Sequence, residues 1–116
     1  MNMKAVRIHE YGGAESLRYE DIPTPQPGKD EVLIKVRASS LNPVDISISE
    51  GLMQEKFKLE LPVTLGYDIA GIVEQKGEGV MNVNEGDKVF GQAGLMVGGS
   101  GGFAEYAKTP SNMIAR

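Results

Sequence analysis

Glycine and proline fall between short apolar runs rather than inside long ones, and this spacing constrains the fold more than any other feature of the chain. Fifteen glycines and six prolines stand among 116 residues, so extended 3.6-residue periods have little room and turns recur every 8 to 15 residues or so. The chain reads as mainly β. Residues 4–8 alternate with Val6 and Ile8 on one face. Residues 17–22 alternate Leu17, Tyr19 and Asp21 against Arg18, Glu20 and Ile22. Pro23, Pro25 and Pro27 then stop any ladder, because proline has no amide hydrogen to donate.

The clearest alternation runs over residues 31–38, with Val32, Ile34, Val36 and Ala38 facing one way, the pattern of a half-buried strand. The period breaks at Ser40-Leu41-Asn42-Pro43. Asn42 before Pro43 makes an N-cap and N1 pair for a helix of one or two turns, ending near Gly51, where a C′ glycine belongs. Residues 51–61 are mixed and are read as a loop that either lines a pocket mouth or covers the core. Residues 62–74 are nearly continuous in apolar character, as for one strand buried on both faces, with Gly66 and Gly71 permitting bends. Turns at Gly77-Glu78-Gly79 and Glu85-Gly86-Asp87 lead to a strand at 88–91, and a last strand is expected at 103–108. Six or so short strands in one domain, 1–116, predict a small, partly open β-barrel with one or two short helices, since closure removes exposed edges.

Composition narrows the chemistry. Hydrophobic residues make up 41% and charged residues 24%, which suits a globular domain with one core. The formal charge of −4 and the absence of a Lys/Arg cluster argue against nucleic acid as a partner. No apolar run has the length of a signal peptide or membrane span, so no membrane is expected and a cytoplasmic location is the default. With no Cys and a single His, there is no ligand set of the thiolate and imidazole kind for zinc, iron or copper, and no Cys/His or Ser/His nucleophile pair beyond what His9 alone offers. His9 reads as an ordinary surface or half-buried residue.

Gly91, Gly94, Gly98, Gly99, Gly101 and Gly102 invite a dinucleotide-loop reading, but a phosphate cradle opens into a helix, whereas 103–107 has the pattern of a strand. The stretch is expected to be a mobile hairpin connection.

Three motifs, Leu41-Asn42-Pro43-Val44-Asp45, residues 65–73 (Leu-Gly-Tyr-Asp-Ile-Ala-Gly-Ile-Val) and Gly86-Asp87-Lys88-Val89-Phe90-Gly91, resemble the N-terminal, GroES-like domain of the medium-chain dehydrogenase/reductase superfamily in order and spacing. Pro25-Gln26-Pro27-Gly28 and Gly102-Phe103-Ala104-Glu105-Tyr106 support the resemblance, which covers nearly the whole chain. Where the zinc-dependent alcohol dehydrogenases of that superfamily carry Cys, His and Glu, this chain has Asn42, Tyr67 and Asp68, so the resemblance points to the zinc-free quinone oxidoreductase branch.

That branch implies NADPH as cofactor, bound mainly by a Rossmann domain expected beyond Arg116 and absent from these residues, and hydride transfer to a quinone or other α,β-unsaturated carbonyl. Asn42 is the expected catalytic donor to the carbonyl as well as a helix cap, with Tyr67 as a second polar contact. Val44, Asp45, Ser47 and Asp68 are expected to contact substrate or cofactor. Asp45 and Asp68 equally suit structural roles, and Ile46-Ser47-Ile48 supplies no aromatic for stacking a quinone. The isolated domain is expected to be inactive and to self-associate through surface that the rest of a longer chain would cover. Two other readings stand beside this one: an enoyl-thioester reductase of the same superfamily, and a non-catalytic GroES-like binding or assembly module docking through Leu95-Met96-Val97.

Overall fold

The computed structural model describes residues 2–52 and 60–116. Most of the unassigned loop, residues 53–59, lies outside the described residues. Among the described residues, eight strands form two antiparallel sheets. In the first, β1 (Asn2–Ile8) lies between β2 (Leu17–Pro23) and the two-residue β4 (Val63–Thr64). The second comprises β3 (Glu31–Ser39), β5 (Asp68–Lys76), β6 (Lys88–Gln92), β7 (Tyr106–Pro110) and β8 (Ile114–Ala115), in the order β7-β3-β5-β6-β8. The one α-helix of the described residues, α1 (Pro43–Ser49), has Asn42 at its N-cap, and Gly51 follows with φ 83°. The predicted helix and its boundaries match. A left-handed residue after the last turn frees the chain to leave the helix, and glycine adopts that conformation without a Cβ clash.

Residues 103–105 stitch the sheets into one curled, partly open barrel. Val6 N donates to Phe103 O at 2.8 Å and Glu105 N to Lys4 O at 3.0 Å, while Val36 N donates to Glu105 O at 2.9 Å. One short segment therefore hydrogen-bonds to β1 of the first sheet and β3 of the second. The main core, which includes Val32, Ile34, Ile69, Val73, Val89 and Ala107, fills the concave side of the larger sheet. Val32, Ile34 and Val73 are 0%, 0% and 1% exposed, and burying each contributes about 2 kcal/mol. A second cluster, Ile8, Ile48, Leu65 and Tyr67, seats α1 against β1.

Five sequence expectations need correction. The run 62–74 is two strands in different sheets: β4 pairs with β1 and β5 with β3 and β6. Gly66, with φ 107°, turns the chain between them. The alternation in β3 is broken by register shifts between Leu33 and Ile34 and between Val36 and Ala38: Leu33 is buried at 3% and Ala38 is exposed. In β1 the buried residues are Met3, Ala5 and Ile8, with Val6 half-buried, because Ile8 at the far end packs beneath the helix on Ile48.

The glycine-rich stretch is not a hairpin, since β6 and β7 lie on opposite sides of β3 and β5. It crosses the barrel, pinned by Gly101 N to Ala93 O, Gly102 N to Gly66 O, Phe103 N to Leu65 O and Ser100 N to Lys108 O, all at 2.8–3.0 Å. Its Leu95–Val97 segment forms a 3-10 turn with Leu95 and Val97 half-buried and Val97 packed on the second core. The strand expected at 103–108 as the last begins later, at Tyr106, and the two-residue β8 follows it.

At Gly66 a Cβ would lie 2.6 Å from Phe103 N, adding a backbone clash to the positive φ. Gly66→Ala is expected to lower stability by about 3 kcal/mol. Gly86→Ala, at a φ of 91° with nothing within 4 Å, should cost about 1 kcal/mol. Urea denaturation of both variants separates the clash from the conformational strain, and equal costs would refute the assignment.

Candidate functional site

The chemistry-bearing residues gather where α1 begins and β5 starts. Asn42 has the extended conformation of an N-cap, φ −118° and ψ 157°, and Pro43 at N1 needs no amide partner. The Asp45 carboxylate, 1% exposed, turns back on this end: Oδ2 accepts from Asn42 N at 3.0 Å and Oδ1 from Gly66 N at 3.1 Å. Both oxygens are thus committed to backbone amides, and the structural one of Asp45's two expected roles is the one the geometry supplies.

The Asn42 side chain points elsewhere. Its Nδ2 donates to Asp68 Oδ2 at 2.9 Å, and the Ser40 hydroxyl donates to the same oxygen at 3.2 Å. A carboxylate only accepts, so the Asn42 amide must present nitrogen rather than oxygen to Asp68. This fixes the amide plane. The second Nδ2 hydrogen has Ser40 Oγ, at a long 3.4 Å, as its acceptor within the protein, so it is weakly held and free to meet a ligand.

Asp68 and Ser40 lie on the wall of an open pocket of about 410 Å³, with Ala38, Ser39, Ile69, Ala70, Phe90, Gly91 and Gln92. The wall is apolar except for Ser39, Ser40, Asp68 and Gln92. Phe90 is 61% exposed there, and Gln92 faces Asp68 across the β5–β6 ladder. Ser40, Phe90 and Gln92 were not singled out in the sequence. For Phe90 and Gln92 the signal is the alternation itself: Val89 is buried in β6, so Lys88, Phe90 and Gln92 take the outward face; Ser40, just past the end of β3, carries no such mark.

The other sequence candidates lie apart from this pocket wall. Tyr67 is 8% exposed and belongs to the second core, its ring lying on Gly94, where a Cβ would come within 2.4 Å. Its phenol oxygen accepts a hydrogen bond from Met96 N at 3.0 Å, holding the glycine-rich crossover to the barrel. Val44 is half-buried against the same core. Ser47 is half-buried on α1, with its carbonyl accepting from Leu52 N at 2.9 Å. His9 is exposed, with Nε2 2.6 Å from Glu20 Oε1. Glu20 in turn is held below the usual carboxylate range by its hydrogen bonds to Arg7 and then His9.

Geometry and topology together define a GroES-like half-barrel whose helix start and central strand carry a small polar cluster beside an apolar pocket. The family model "Alcohol dehydrogenase GroES-like domain" matches residues 28–116, and the chain belongs to that family. A quinone oxidoreductase of Lama guanicoe is 43% identical over 113 residues, covering 97% of this chain and 32% of the relative. The structure of the quinone oxidoreductase from Coxiella burnetii superposes with a TM-score of 0.88 at 39% identity, covering 100% of this chain and 37% of that one. A mycobacterial protein solved in complex with NADPH superposes with a TM-score of 0.82 at 33% identity, covering 98% of this chain and 32% of that one. The chain therefore spans about a third of the length of the relatives it matches.

Two outcomes test these assignments. Asp45→Ala strands two backbone donors at a buried site and is expected to lower the unfolding free energy by about 3 kcal/mol; a loss below about 1 kcal/mol in urea titrations would remove the clasp. For Tyr67, burial raises the phenol above its ordinary value of 10.0, with Asp45's charge adding to the rise and the Met96 amide opposing it. The folded state then holds this proton more tightly than the unfolded chain does. The resulting stability is fully present below about pH 10 and is lost as pH rises through the folded value. Tyr67→Phe should therefore lose less stability than the parent between neutral pH and about pH 11, read from urea midpoints; parallel curves would contradict the burial of the phenol.

Proposed function

We propose that this chain is the substrate-side domain of a longer, zinc-independent, NADPH-dependent oxidoreductase that reduces quinones or other α,β-unsaturated carbonyls, with a Rossmann domain as the main seat of the cofactor. The observation that carries this reading is the Asn42 amide, oriented by Asp68 and retaining one weakly held hydrogen, bonded directly to two residues, Ser40 and Asp68, that line an apolar pocket.

The donor set does not fit a zinc centre. Asn42 offers an amide nitrogen already bonded to a carboxylate, Tyr67 a buried phenol engaged by a backbone amide, and Asp68 a carboxylate shared by two donors. Neither thiolate nor imidazole is present in that set, and among the described residues no three His, Cys, Asp or Glu side chains gather to hold a metal. The same pocket suits a planar ring bearing a carbonyl, with Ala38, Ile69, Ala70 and Phe90 as apolar wall and Ser40 and Gln92 as polar edge. When bound, NADPH supplies hydride to the conjugated system.

Negative charge grows on the substrate oxygen as the carbonyl is reduced. Asn42 meets it with an N–H that needs no reorientation, because Asp68 has already set the amide plane. An uncharged donor also avoids the large solvation cost of burying a cation beside the apolar wall. Asp68 acts through Asn42 and is a positioning residue. The pocket walls exclude water from one side of the ring, which strengthens the hydrogen bond to the developing oxyanion.

In the complete protein that carries this domain, Asn42→Ala is expected to reduce kcat for NADPH-dependent quinone reduction about a hundredfold. Asp68→Asn should reduce kcat about tenfold with KM little changed, since the amide is misaligned but the pocket is intact. Turnover unaffected by Asn42→Ala would remove this residue from the mechanism, and an absence of any NADPH-dependent quinone reduction by the parent protein would end the proposal.

A further inference from the structure

The outward faces of β5 and β6 form a continuous trough. Asp68, Ala70 and Ile72 alternate outward on β5, and the register sets them beside Gln92, Phe90 and Lys88. A second open cavity, about 440 Å³, has Arg37, Ile72 and Lys88 on its wall and shares Ala70 with the pocket beside Asn42. Ser40 and Asp68, with the Asn42 amide bonded to both, occupy one end and two cations the other. From Gln92 to Lys88 is four residues of strand, roughly 13 Å at about 3.3 Å per residue.

The cationic end is unbalanced. Arg37 and Lys88 face one cavity and, like Lys35 beside them, form no ion pair with any described residue. Lys35 adds to the same end, opposite Ile72 on the other side of β5. Of the acidic groups nearby, Glu105 shares a separate cavity with Arg37 and accepts from Lys4 N, and Glu74 is the next outward residue after Ile72 on β5; neither forms an ion pair with Arg37 or Lys88. Like charges gathered over an apolar floor repel one another unless an anion lies between them. A chain with a formal charge of −4 has carboxylates to spare, yet places none here in ion-pair contact.

We infer that the ligand of this trough carries an anionic group about 13 Å from its carbonyl end, held between Arg37 and Lys88, with an apolar body lying on Ala70, Ile72 and Phe90. This deepens the proposed function and rests on the Asn42 end being the carbonyl site. It selects, among conjugated carbonyl compounds, those with a carboxylate or phosphate on an extended apolar tail over neutral ones.

The test uses the complete protein and two probes, a benzoquinone bearing an alkanoic acid chain long enough to span the trough and its methyl ester. At low salt the acid is expected to show a KM about fivefold below that of the ester. In Arg37→Gln/Lys88→Gln the two KM values should converge through a rise for the acid alone, the ester serving as the control for folding. About 0.5 M salt should close the same gap in the parent protein. Equal KM values in the parent, or a gap that survives the double substitution, would overturn the inference. Should neither quinone be reduced, the parent reading fails. The inference is then decided by calorimetric titration of the same two compounds, where an acid preference dependent on Arg37 and Lys88 supports it, and equal or absent binding overturns it.

Discussion

A single buried carboxylate couples the two halves of the site. Asp45 accepts one backbone amide from its own helix N-cap and another from Gly66, 21 residues along the chain. Charge-assisted hydrogen bonds of this kind are strong, and in a 1% exposed position each amide would otherwise be left without a partner. The start of α1 and the turn ahead of β5 are therefore located relative to each other by one side chain. Asn42 sits on the first of these and Asp68 two residues after the second, so the 2.9 Å contact between them inherits its precision from the clasp beneath.

The two aspartates divide the work. Asp45 is enclosed and spends both oxygens on backbone, whereas Asp68 is half-buried and spends one oxygen on the side chains that reach the pocket. Tyr67, between Gly66 and Asp68 in sequence, faces the opposite way into the second core and holds the glycine-rich crossover through Met96. Three consecutive residues thus supply a turn, a core anchor and a site residue. Alternation along an extended chain is what sends neighbouring side chains to opposite faces.

Much of this was legible before any coordinates. Asn42-Pro43 and Gly51 gave the helix its limits because capping and the positive φ after the last turn are local requirements. The Leu-Gly-Tyr-Asp-Ile-Ala-Gly element pointed to the correct family. What was not legible depended on partners distant in sequence. An unbroken apolar run at 62–74 carries no local mark that its first two paired residues belong to another sheet, and the bulge at Arg37 changes the facing of Ala38 without changing its apolar character. The glycine-rich stretch was read by proximity as joining neighbouring strands, although its ends lie two strands apart. Tyr67 reads as a polar contact for the carbonyl, and Asp45 as either a ligand contact or a structural group, because a motif does not say whether a polar side chain serves the ligand or the barrel.

The crossover at residues 103–105 also bears on how such a chain is made. The first strand finds one of its hydrogen-bonding neighbours near residue 104, the Ala5–Ala104 bridge joining residues far apart in sequence. During synthesis from the N-terminus, β1 and β2 emerge early and can pair with each other, but the barrel cannot close until the last strands have cleared the ribosome. Closing so long a loop is slow, and until it happens an apolar strand face and an unpaired edge are exposed. The polypeptide is most vulnerable to aggregation in that interval, and a chaperone that shields the early hairpin would act there.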